Sequence, residues 1–63
     1  MEEAEFKKKF GEAVKRDNYA VVDFGLITLY PEQYVLYADG SVTFHVKELE
    51  VAIGNLRDIK EVS

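Results

Sequence analysis

Asp39-Gly40 stands between two runs of strand-forming residues, and this dipeptide is the strongest short-range signal for a β-hairpin. Read as a two-residue loop, it fixes the pairing of the flanking strands, about Gln33 to Ala38 and Ser41 to Val46. Ala38 then opposes Ser41, Tyr37 opposes Val42, Leu36 opposes Thr43, Val35 opposes Phe44 and Tyr34 opposes His45. One face collects Val35, Tyr37, Val42, Phe44 and Val46, which predicts the core side. The other collects Tyr34, Leu36, Ala38, Ser41, Thr43 and His45. A slip of one residue would exchange the two faces of a strand.

The segments around the hairpin complete a fold class. Phe6, Phe10, Ala13 and Val14 recur at helical spacing, with Glu2, Glu3 and Glu5 at the positive end and Lys15 and Arg16 at the negative end, so an N-terminal helix is expected. Gly11 costs this helix about 1 kcal/mol relative to alanine, and a close approach to the sheet would be a reason to keep it. Asp17-Asn18 is the expected stop, since Asn tolerates the left-handed conformation. Tyr19 to Tyr30 is rich in Val, Ile, Thr and aromatics and reads as one long strand with a bulge or bend at Gly25. Tyr30-Pro31-Glu32-Gln33 reads as a turn. From Lys47 to Val62, Leu49, Ile53, Leu56 and Ile59 fall at spacings of four, three and three, which predicts a second amphipathic helix. Val51-Ala52-Ile53 as a short fourth strand is the alternative. The expectation is therefore a single α+β domain over residues 1–63. Its architecture is two-layer, helix–three-stranded antiparallel meander–helix (αβββα), with both helices on one sheet face.

Size limits what such a domain can do alone. A chain of 63 residues buries only ~60% of its unfolded surface. Without cysteine it has neither disulfides nor thiolate metal sites, and the lone His45 leaves too few ligands for structural zinc. We expect no cofactor and no metal. The longest apolar run falls short of the roughly 20 residues of a membrane span, and the acidic start, Met1-Glu2-Glu3-Ala4-Glu5, does not resemble a secretory signal. A cytoplasmic protein without a membrane partner is the expectation.

No catalytic constellation emerges. Ser41 and His45, four residues apart on one strand, lie about 13 Å from each other, beyond nucleophile–base reach. Asp23-Phe24-Gly25 matches a tripeptide that kinases use to hold magnesium, but a kinase also needs a glycine-rich loop, a strand lysine and a catalytic loop. Asp23 reads instead as an outward strand residue. Asp39-Gly40-Ser41 lacks calcium ligands, because Tyr37 and Val35 occupy the preceding alternate positions. His45 reads as a sheet-face residue beside Tyr34. An enzyme is not expected.

The net charge of −4 disfavours polyanions, and it has a location. Up to Asp17, five cations balance five acids; the whole excess falls later in the chain. Lys7, Lys8, Lys9, Lys15 and Arg16 form the one basic cluster and are the candidate contacts of a small RNA- or DNA-binding domain, the alternative function. Helix–three strands–helix is also the element order of double-stranded-RNA-binding domains. Their phosphate-gripping positions here hold Lys47-Glu48-Leu49-Glu50, and their minor-groove loop holds Tyr30-Pro31-Glu32-Gln33, which has no cation. The order is shared; the chemistry is not.

The positive signal is apolar. If the helices cover one sheet face, Tyr34, Leu36, Thr43 and His45 are left on the other, with Ile27 and Leu29 beside them, and a patch of this kind marks a partner site. We therefore expect a small acidic, non-enzymatic protein-interaction module, accessory or regulatory or inhibitory in role and acting as a homodimer. Glu32, Asp39, Glu48 and Glu50 around the patch suit a basic partner protein. Nucleic acid is not the expected partner.

Overall fold

The computed structural model describes residues 1–47 and 51–63. One helix and two three-stranded antiparallel sheets make a small mixed α+β fold. Helix α1 (Glu3–Asp17) turns Phe6, Phe10 and Ala13 inward. Glu3 and Glu5 sit in its first turn and Lys15 and Arg16 in its last, as the dipole favours. It ends at Asn18, whose φ of 68° is left-handed and whose N–H bonds the Val14 carbonyl at 2.7 Å. Gly11 is exposed and has open space where a Cβ would stand, so close helix–sheet approach is not its role.

The stretch after the helix does not make one long strand. It folds into β1 (Val22–Asp23) and β2 (Thr28–Leu29), paired Val22 to Leu29. Gly25 lies in the reverse turn between them. The Asp23 carboxylate accepts the Gly25 N–H at 2.7 Å, and the Phe24 N–H bonds the Ile27 carbonyl at 3.0 Å. Asp23, next to the buried Val22 in β1, is half-buried, and its carboxylate holds the turn. The chain then crosses to a second sheet, β3 (Gln33–Leu36), β4 (Ser41–His45) and β5 (Val51–Asn55), in the order β3-β4-β5.

The second helix expected over 47–62 is not formed among the described residues. Val51 to Asn55 is a strand, Leu56–Asp58 a single 3-10 turn, and Glu61–Val62 a short β6 that pairs with β1. Among the described residues the fold thus has six strands where a three-stranded meander and two helices were expected. The helical spacing was coincidental. Ile53 points to solvent in β5, whereas Leu56 and Ile59 are buried further on. Leu49 lies outside the described residues.

The hairpin register differs from expectation by one residue, and the loop is the cause. Gly40, at φ +89°, is the third residue of a three-residue loop, Ala38-Asp39-Gly40. The Tyr37 N–H donates to the Ser41 carbonyl (2.9 Å) and the Gly40 N–H to the Tyr37 carbonyl (3.0 Å). This is the turn-plus-glycine-bulge loop that follows the two-residue type in frequency. Tyr34 therefore pairs with Phe44, Val35 with Thr43 and Leu36 with Val42. Val42 and Phe44 are buried as expected, but β3 is turned over. Tyr34 and Leu36 pack on the core, while Val35 and Tyr37 are exposed.

One core joins the helix and both sheets. Phe6 and Phe10 of α1 meet Tyr34 edge-on at 4.9 and 4.7 Å between ring centroids, and Phe44 at 6.1 and 6.3 Å. Val22, Val62, Ala20, Leu56 and Ile59 close it from the β2-β1-β6 side. Phe24 lies across β5. A Cβ on Gly54 would stand 2.9 Å from two of its ring carbons, so only glycine allows this approach.

Candidate interaction face

The register decides which side chains are free. Along β4, Val42 and Phe44 point to the core; Ser41, Thr43 and His45 point away. Their partners Val35, Ile53 and Val51 share that outer side, with Val35–Thr43–Ile53 as the central row and His45 between Gln33 and Val51. Tyr37 and Asn55 flank Ser41 at one end. The described part of this face holds Val, Ile, Tyr, Thr, Ser, Gln, Asn and one His, with no Lys, Arg, Asp or Glu. Val35 is 45% and Ile53 80% exposed, and Tyr37 and Val51 are about half so.

The six expected interface residues therefore separate. Thr43 and His45 lie on the outer face, and Ile27 is exposed at the β1–β2 turn. Leu29 is half-buried against the core. Tyr34 and Leu36 are on the covered side, Tyr34 pinned by both helix phenylalanines, so the assignment of these two to an open face is corrected. Val35 and Tyr37 take their place. Counting the loop as three residues, with glycine last, would have found them. Val51 and Ile53 were hidden by the helical reading of their segment. Leu26, 98% exposed beside Ile27, carries no periodic signal.

One concavity borders the face, and another lies past the end of β4. A groove of about 470 Å³ runs between the β1–β2 turn and β5, lined by Phe24, Leu26, Ile27, Ala52, Ile53 and Gly54, with Arg57, Asp58 and Lys60 on its rim. A second, of about 490 Å³, lies where Tyr19 and Tyr30 meet edge-on, 6.0 Å apart, beside Leu29, Val46 and Lys47. Among the described residues no three His, Asp or Glu side chains cluster as a metal site would require.

Charge is organised elsewhere. Lys7 pairs with Glu3 at 3.7 Å, Lys9 with Glu5 at 3.4 Å and with Glu61 at 3.5 Å, and Arg16 with Asp17 at 3.0 Å. Glu61 and Glu5 beside Lys9 hold its pKa above the ordinary lysine value. Three of the five basic helix residues are thus internally compensated. In the hairpin loop, the Asp39 carboxylate accepts the Ser41 hydroxyl at 2.6 Å and its N–H at 2.9 Å, and these bonds hold its pKa below the usual aspartate value. Ser41 is committed to Asp39, not to His45. No described helix is long and apolar enough to cross a membrane. The chain matches no known protein-family model, no curated protein and no solved structure.

Proposed function

We propose that the protein is a small, non-enzymatic interaction module that works by presenting the uncharged outer face of β3-β4-β5 to other proteins, and that it associates with itself as a homodimer. The observation that carries this reading is that face. Val35, Thr43 and Ile53 form a row across three strands with no charged neighbour among the described residues, on a chain where nearly one residue in three is charged. A surface kept free of charge in so charged a chain is what a protein–protein contact requires, since interface cores are depleted of charge. Exposed Glu32 beside β3 and Asp39 in the hairpin loop would meet a basic rim on the partner. An accessory, regulatory or inhibitory role is the kind of work such a module does.

Nucleic-acid binding through Lys7, Lys8, Lys9, Lys15 and Arg16 is the competing reading, and the ion pairs of Lys7, Lys9 and Arg16 weigh against it. Salt separates the two. We expect a light-scattering mass above that of the monomer at both low and physiological salt, with no low-salt gel shift of duplex DNA or single-stranded RNA. A monomeric mass together with a gel shift that fades as salt is raised would replace this reading by the nucleic-acid one.

A further inference from the structure

The four sheet edges are not equally defended. Strands β2 and β6 are two residues long, and Lys9 reaches from α1 to Glu61 on β6. Strand β3 is four residues long and is entered through Pro31, a residue of the kind that blunts an edge. Strand β5 is five residues long, without charge or proline, and is an outer strand of its sheet.

Its backbone polarity follows from the ladder. Tyr37 bonds the Ser41 carbonyl and Glu32 the His45 carbonyl, so residues 41, 43 and 45 of β4 address β3, leaving Val42 and Phe44 to address β5. Ala52 and Gly54 are their partners, and the next such residue, Leu56, donates to the Gly40 carbonyl at 2.9 Å. Val51, Ile53 and Asn55 therefore turn their N–H and C=O groups outward, over the groove that ends at Leu26 and Ile27.

We infer that β5 is the site at which a second copy of this chain adds, β5 against β5, about a two-fold axis through Ile53. The inference rests on the interaction reading above and specifies its self-association. Antiparallel pairing of a strand with its own copy is inherently two-fold, so one edge satisfies both partners. Ile53 faces its own copy across the joint, Val51 faces Asn55, and no like charges meet. On the core side the joint is made of Ala52 and Gly54, with the Phe24 ring of each copy lying over its Gly54. Face-to-face stacking, over three strands of about five residues and roughly 14 by 17 Å, would leave the outward N–H and C=O groups of β5 without a strand partner. Edge pairing draws on Ile53, the free amides and the hairpin tips together. It leaves Val35 and Thr43 open as one continuous surface across six strands.

The test combines sedimentation equilibrium with amide exchange on the full chain. Dimerisation through β5 slows exchange at Ile53 and Asn55 as concentration rises. Ile53→Pro removes one N–H per protomer, two bonds per dimer, and weakens the dimer by about 30-fold or more. Ile53→Lys, at a solvent-facing position, gives the same loss should the proline variant fail to fold. Thr43→Lys leaves the dimer intact. If Thr43→Lys dissociates the dimer while the Ile53 and Asn55 amides stay unprotected, the copies stack by their faces; the edge assignment is then overturned and the interaction reading stands. A chain that stays monomeric at millimolar concentration overturns both the edge assignment and the homodimer.

Discussion

The two sides of the β3-β4-β5 sheet are built from alternate residues of the same three strands, and both are uncharged among the described residues. One side carries Tyr34, Leu36, Val42 and Phe44 beneath the helix phenylalanines; the other carries Val35, Tyr37, Thr43, His45, Val51 and Ile53 toward solvent. In an ordinary half-exposed sheet, polarity alternates and tells inside from outside. Here hydrophobicity cannot do so, because β3 and its extension read Tyr-Val-Leu-Tyr without a polar break. What distinguishes the sides is the helix and one glycine. A second apolar side that no described element covers is the feature that makes association the natural proposal.

The sharpest way to break this comparison is at the buried side. Phe44→Ala should cost about 3–5 kcal/mol in chemical denaturation, enough to unfold much of a domain this small. Phe44 is fully enclosed and meets Phe6, Phe10 and Phe24. Adjacent residues of β3 then test the inversion. Tyr34→Ala should cost about 2–3 kcal/mol through its lost ring contacts, while Val35→Thr should stay within about 0.5 kcal/mol. The reverse ranking would mean that β3 is turned the other way.

Gly54→Ala probes the edge between the sides. A methyl group 2.9 Å from the Phe24 ring overpacks the site and should cost about 1–2 kcal/mol. A neutral result would show that Phe24 can leave β5. The smallest effect is in acid. Because the Asp39 pKa is lowered on folding by its bonds to Ser41, its contribution is present above the ordinary aspartate value of 3.8 and is lost as pH falls through the lower folded value. Asp39→Asn should remove that part of the acid sensitivity, read as a smaller change of melting temperature between pH 5 and pH 2.

Much of this was legible in the residues. The spacing of Phe6, Phe10 and Ala13 located the helix and its buried stripe, Asn18 its end, and Val42 with Phe44 the core side of β4. What failed did so for local physical reasons. A loop of two residues and one of three both accommodate Asp-Gly, and the difference inverts one whole strand. Gly25 served equally as a bulge or as a turn, and only the Asp23 carboxylate on its N–H favours the turn. Ile53, Leu56 and Ile59 fit a helical period although they belong to a strand, a 3-10 turn and the link that follows it. Two of the six expected face residues, Tyr34 and Leu36, moved to the covered side with these errors; Thr43, His45 and Ile27 remain on the surface, and Leu29 is half-buried.

The pairing of β1 with β6 brings Val22 against Val62, forty positions along the chain, whereas β3, β4 and β5 are sequential neighbours. Closing so large a loop is entropically dearer than zipping a meander. The aromatic half of the molecule is thus poised to assemble early, and the Val22–Val62 latch to engage late.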